Sequence, residues 1–155
     1  MNALEIEIEL MFLYNFRRNI IVPNVSWGIW SPASGALHEC DLLILSEHNY
    51  ATEIEIKTSR SDLTADKKKK HGHRHNHIAR LYFAVPVKLV DFALSAIPEE
   101  AGLYAMTRGK KPELIKQCRR NKNCVQWDDY ERLKLAHLGA MRIVGLKEKI
   151  AKLTN

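Results

Sequence analysis

The apolar positions of this chain change period several times, and each change marks an element. Over residues 3–18, Leu4, Ile8, Met11 and Phe12 recur at three- and four-residue steps, which predicts an N-terminal helix. The same stretch opens Glu5-Ile6-Glu7-Ile8-Glu9-Leu10, an alternation that a strand would also show. The pattern continues through Leu13 and Phe16, and acids suit the first turn of a helix, so helix is preferred. Residues 20–30 carry Ile, Val and Trp and read as a first strand, interrupted near Pro23 and Gly28. A loop follows over 31–35. The apolar run Cys40–Leu45 and the alternating run 50–57 are two more strands, and Ser46-Glu47-His48-Asn49 is short and polar enough to join them as a hairpin.

From Thr58 to Asp66 the chain is polar. It then enters Lys67-Lys68-Lys69-Lys70-His71-Gly72-His73-Arg74-His75-Asn76-His77, which breaks any apolar period and reads as exposed, with room for a helix in its second part. Leu81-Tyr82-Phe83-Ala84-Val85-Pro86 is nearly all apolar, as a central strand is. Residues 87–97 read as a helix, 103–106 as a fifth strand and 113–117 as a short further one. Asp128 and Asp129 are good helix-start residues, so a long C-terminal helix is expected from about 128 to 152. Leu133, Ala136, Ala140 and Ile143 share one face of it and are expected to pack on the sheet. A homodimer is the other use of this helix, because Gly139 and Ala140 permit close approach. No internal repeat or linker interrupts the chain. The expectation is one α/β domain over 1–155 with a mixed central sheet flanked by helices.

Composition changes this picture in three respects. The chain has 155 residues, 46% hydrophobic and 27% charged, which suits one soluble domain with a real core. No apolar run approaches the length of a membrane span, and the N-terminus is acidic where a secretory signal would be basic. A cytoplasmic protein is therefore expected, with no membrane partner. The formal charge of +6 tilts the expected partner towards a polyanion. Cys40, Cys118 and Cys124 are an odd count without a C-x-x-C pair, which fits reduced thiols. A zinc site using these cysteines and His71, His73, His75 and His77 is a competing reading, but the spacing matches no familiar zinc module.

The candidate chemistry lies in the hairpin. In a strand, residues two apart share a face, so Glu53, Glu55 and Lys57 face one way, and Ile54 and Ile56 the other. If the two strands pair, Asp41 meets Glu55 and Lys57. Phosphodiester hydrolysis needs an attacking water, a neutralised phosphate and a stabilised leaving oxygen, and a divalent cation contributes to all three. Magnesium takes hard oxygen ligands, often one or two carboxylates with several waters. Asp41 and Glu55 offer the carboxylates, Ile56 a carbonyl, and Lys57 a charge to orient water or offset developing charge. The bland alternative is a surface hairpin with solvated charges. Against it, the neighbouring positions are strongly apolar, and charges in an apolar sheet are costly unless paired or metal-bound.

Asp41 followed by Glu55-x-Lys57 resembles the PD-(D/E)xK nuclease superfamily. The continuation Glu55-Ile56-Lys57-Thr58-Ser59-Arg60-Ser61-Asp62-Leu63-Thr64-Ala65-Asp66-Lys67 resembles the E-I-K-S-S-R-x-D-F-x-x-D-x-K stretch of MmcB-like DNA-repair proteins. Leu81-Tyr82-Phe83-Ala84-Val85-Pro86 and Pro98-Glu99-Glu100-Ala101-Gly102-Leu103 are similar to that family's F-Y-F-A-V-P and P-E-x-A-G-L. The resemblance spans roughly residues 39–106. It implies a restriction-endonuclease-like core, with Asp41 and Glu55 as ligands of Mg2+ or Mn2+ and Lys57 as the catalytic lysine. It also implies a further glutamate on the first helix. Glu5, Glu7 and Glu9 compete for that role, and position favours Glu7 or Glu9. Cys40 stands where the superfamily often has proline. Glu39 is read as an exposed charge and Glu53 as a bystander.

The resemblance implies a metal-dependent DNA endonuclease acting in repair or recombination. The alternative is a non-catalytic DNA-binding accessory that keeps the fold. Arg60 is a candidate phosphate contact, while Ser61 or Asp62 suits a helix cap. Lys67, Lys68, Lys69, Lys70 and Arg74 form a basic run that suits sequence-independent contact with DNA, although most charge runs are simply solvated. Lys110-Lys111 and Arg119-Arg120-Asn121-Lys122 share that ambiguity. Trp27, Trp30 and Trp127 could stack bases, but packing is the commoner use.

Overall fold

The computed structural model describes residues 1–25, 30, 31, 35–66, 73 and 75–154. A first helix, α1 (Ala3–Leu13), begins at a reciprocal cap: Asn2 Oδ1 accepts the Glu5 N–H at 2.9 Å, and Glu5 accepts the Asn2 N–H at 2.8 Å. It stops short of the expected residue 18. The Tyr14 N–H bonds back to the Leu10 carbonyl, and Asn15 takes the left-handed φ of 51°, which a helix does not continue through. The apolar stripe also differs from the expected one. Ile6 and Leu10 are buried, whereas Leu4, Ile8 and Phe12 are exposed.

Six strands form one sheet: β1 (Ile20–Val25), β4 (Cys40–Leu45), β5 (Ala51–Ile56), β6 (Ile78–Pro86), β7 (Gly102–Met106) and β8 (Glu113–Lys116), in the order β1-β4-β5-β6-β7-β8. The intervening β2 (Trp30–Ser31) and β3 (Gly35–Ala36) make a separate two-residue ribbon. The expected first strand ends at Val25, not 30. Antiparallel pairing joins β1 to β4, β4 to β5 and β7 to β8, while β5, β6 and β7 run parallel. The sheet is thus mixed, as expected. Asn49 closes the β4–β5 turn with φ of 59°, and the Ser46 N–H bonds the Tyr50 carbonyl.

Parallel neighbours need crossovers, and helices supply both. The crossover from β5 to β6 contains α2 (Arg60–Asp66), which lies before the basic run rather than within its second part. Its cap is Ser59, whose Oγ accepts the Asp62 N–H at 3.2 Å; Ser61 and Asp62, the expected caps, are inside the helix. The crossover from β6 to β7 is a 3-10 turn (Val87–Leu89) followed by α3 (Val90–Ala96).

The core has two sides. Ile6 and Leu10 of α1 pack with Leu42, Ile44, Ile54, Tyr82 and Tyr104. On the other side, Leu63 of α2 and Ala93 of α3 cover Leu81, Phe83, Val85 and Leu103. The final helix, α4 (Asp129–Thr154), and Trp127 cover Val22, Leu43 and Leu45. This helix buries Glu131, Leu135 and Leu138, not Leu133 and Ile143, which are 68% and 56% exposed. Gly139 lies on the same sheet-facing side, where a Cβ would come within 3.2 Å of Val22 Cγ2, and Leu135 and Leu138 pack into the same cluster as Val22. Trp127 is a core residue and donates its Nε1–H to the His77 carbonyl at 2.8 Å. Trp27 and the basic residues Lys67–Lys70 and Arg74 lie outside the described residues, as does the Trp30 side chain. No described helix is long and apolar enough to cross a membrane.

Candidate functional site

The β4–β5 register places Leu42 opposite Ile54 and Leu43 opposite Glu53. One step further along, Asp41 meets the end of β5. Its backbone N–H lies 3.4 Å from Glu55 Oε1, and its Oδ2 accepts the Ile56 N–H at 2.9 Å. Lys57 Nζ reaches both acids, 2.5 Å from Glu55 Oε2 and 3.2 Å from Asp41 Oδ2. The hairpin therefore brings Asp41, Glu55 and Lys57 together. Strand β5 sits inside the sheet, with Glu53 beside Leu81 and Glu55 beside Phe83 of β6. Glu53 and Glu55 are accordingly fully buried rather than solvated.

Burial disfavours charge on Lys57, but Glu55, Asp41 and Asp66 more than offset it and hold its ammonium well above the usual lysine range. Asp41 moves the other way from most paired acids. Burial and the nearby Glu55 raise its carboxyl above the ordinary value, and Lys57 and the Ile56 N–H only partly compensate. This carboxylate would gain from a further cation. It opens on a cleft of about 340 Å³ lined by Asp41, Ile56, Lys57, Asp62, Ala65 and Asp66. The oxygen donors at that cleft fit a hard divalent ion.

Sequence reasoning missed a second group of residues around Glu53. His73 Nδ1 lies 2.7 Å from Glu53 Oε1, and its Nε2 lies 2.7 Å from Asp66 Oδ2. His38 Nε2 lies 2.9 and 2.8 Å from the two Glu53 oxygens. Asp66 Oδ1 is in turn 3.3 Å from Lys57 Nζ, so the group is continuous with the cleft. Burial alone would raise the Glu53 carboxyl, but the two imidazoles overcome this and lower it. Burial likewise works against His73, yet Asp66 and Glu53 raise it to about 9. Two sets of ligand atoms, His38 with Cys40 and Glu53, and Glu53 with Glu55 and His73, lie within 4.8 Å of one another, close enough to hold a metal ion. Two sequence signs bore on it: alternation, which put Glu53 on the same face as Glu55, and the zinc reading, which included Cys40 and His73 but not Glu53 or His38. Nothing in the spacing tied His38 or His73 to that face.

The remaining candidates divide. Glu7 on α1 is half-buried, and burial together with the Asp41 charge raises its carboxyl, so it approaches the site. Glu5 instead pairs with Arg108 at 2.6 Å. Glu9 is half-buried on the same helix, and Glu39 is exposed. The Arg60 guanidinium lies over the Phe92 ring at 5.2 Å. A second cleft of about 420 Å³ opens beside His73 and includes Arg80, Arg119 and Arg120.

A family model described as DNA repair protein MmcB-like matches residues 22–149. The solved structure of SPO1766, a protein of unknown function from Silicibacter pomeroyi, is similar at 18% identity and a TM-score of 0.62, covering 100% of this chain and 94% of that one. That likeness establishes the α/β fold. No curated protein matches the chain.

Proposed function

This chain belongs to the MmcB-like family of DNA repair proteins, and from there we propose that it is a magnesium- or manganese-dependent DNA endonuclease of the PD-(D/E)xK type, formed by one domain over 1–155. The observation that carries the reading is Lys57 Nζ lying between Asp41 and Glu55 at the mouth of a cleft. Asp41 and Glu55 would hold the ion with the Ile56 carbonyl, and Glu7 adds negative charge next to Asp41. The ion would supply Lewis-acid stabilisation of the phosphate and activation of water. Glu55, Asp41 and Asp66 favour the charged form of Lys57 in metal-free protein, and the part we assign it is electrostatic: it would stabilise charge developing on the phosphodiester oxygens. Arg60, Lys67–Lys70 and Arg74 would hold the DNA backbone, and Arg80, Arg119 and Arg120, which line the second cleft, would add phosphate contacts.

The alternative is a DNA-binding accessory, in which the Lys57 bridge to both acids serves only as a structural ion pair. Incubation of purified chain with plasmid, branched and single-stranded DNA and Mg2+ or Mn2+ separates the two. Cleavage is expected, and Lys57→Ala should lower it by roughly 100-fold or more while salt-sensitive DNA binding persists. Cleavage that survives Lys57→Ala would remove that residue's role. Binding without cleavage, and without calorimetric uptake of either metal, would establish the accessory reading instead.

A further inference from the structure

We propose that His38, Cys40 and Glu53 form a second metal site that takes one zinc-class divalent ion. His38 Nε2, Cys40 Sγ and a Glu53 oxygen lie within 4.8 Å of one another. Two stretches of chain deliver the donors: the start of β4 with its lead-in, and β5. His38 Nε2 approaches both Glu53 oxygens, at 2.9 and 2.8 Å. An imidazole, a thiol and a carboxylate thus converge on one position.

Donor type separates this site from the cleft. Nitrogen and sulfur ligands suit zinc and its neighbours, whereas magnesium takes oxygen. A second observation concerns orientation. A metal-binding carboxylate is ordinarily held by hydrogen bonds from the residues behind it; Glu53 Oε1 lies 2.7 Å from His73 Nδ1, and the second nitrogen of His73 lies 2.7 Å from Asp66 Oδ2. Asp66 is thereby tied to both His73 and Lys57. Three protein donors leave the fourth position to water, and the ion would tie β5 to the start of β4 and its lead-in. On binding, the Cys40 thiol gives up its proton and His38 binds through unprotonated nitrogen, with the protons passing to solvent.

The proposal does not depend on nuclease activity, and neither does its test. Full-length chain without a histidine tag is purified and its metal content measured; about one zinc per chain is expected. The metal is then removed with a chelator and replaced by Co2+. A thiolate-to-cobalt charge-transfer band is expected, unaffected by excess Mg2+. Cys40→Ser should abolish the band and Cys124→Ser should keep it. Asp66→Asn should weaken zinc binding by roughly 10- to 100-fold. Wild-type chain lacking stoichiometric zinc and failing to take up Co2+ would overturn the proposal, and so would a charge-transfer band that persists in folded Cys40→Ser. Lys57→Ala should leave the band intact, so loss of cleavage and loss of this site are read separately.

Discussion

Asp41 is the residue whose environment is least settled by the protein alone. Its side chain is 41% exposed, yet burial of the rest and the charge of Glu55 raise its carboxyl. A raised acid binds more protons folded than unfolded between its unfolded and folded values, so its contribution to stability falls as pH rises through that window. At neutral pH, in metal-free protein, the ionised side chain is therefore a cost. Asp41→Asn keeps an oxygen for the Ile56 N–H and should raise stability by about 0.5–1 kcal/mol, kept small by solvent screening. Chemical denaturation without metal would measure this. The gain should shrink at acid pH, and a variant less stable than wild type at pH 7 would contradict the account. The same residue should be indispensable for cleavage, which is the familiar opposition between a stable site and a working one.

At the scale of elements, α4 is held by its first turn. Asp128 Oδ1 accepts the Glu131 N–H at 2.8 Å, Glu131 Oε2 accepts the Asp128 N–H at 2.9 Å, and Glu131 Oε1 lies 2.7 Å from His77 Nε2. Glu131 is buried, so truncation removes half the cap and strands the imidazole. Glu131→Ala should cost about 2 kcal/mol, a fall of roughly 4–8 °C in melting temperature, and Glu131→Gln much less. A shift under roughly 2 °C would show that other contacts seat the helix. Asp128 was legible as a helix start from its type alone, but Glu131 was not legible as a core residue. The strands Cys40–Leu45 and Ala51–Ile56 were legible, the first from its apolar run and the second from its alternation. The buried face of α4 was misread because apolar residues occur around much of its circumference, and only packing against the sheet decides between them. Helix α2 showed in the sequence only as a possible cap at Ser61 or Asp62, because only Leu63 and Asp66 are buried in it and no apolar period marks its length. The site followed the same rule. Asp41, Glu55 and Lys57 come from one hairpin and show in the sequence, while His38, Asp66 and His73 meet Glu53 and Lys57 only through loops and a crossover.

For the whole molecule, the charge of +6 and the arginines lining the second cleft predict how DNA would be held. Affinity should fall linearly in log–log terms with salt, by about 0.9 for each phosphate contact. Replacing Lys67–Lys70 with alanine should reduce that slope by roughly 3–4, if all four neutralise phosphates. An unchanged slope in a filter-binding or anisotropy titration would place the run away from DNA. The topology has a further, temporal consequence. Asp41 and Glu55 are 14 residues apart across a tight turn, whereas β5 meets β6 only after the chain has travelled through α2 and the basic run. Hairpin closure is a microsecond event, and parallel pairing must first overcome the entropy of a longer loop. The carboxylates therefore meet before the strand that will bury them arrives. Trimming Ile44, in the hairpin, to Val should mainly slow folding, whereas trimming Leu103, on β7, to Ala should mainly hasten unfolding. Stopped-flow kinetics giving the reverse pattern would mean that the crossover nucleates the chain. In the expected order, the segment with the chemistry is the first part of the protein to exist, and the shelter around it is assembled last.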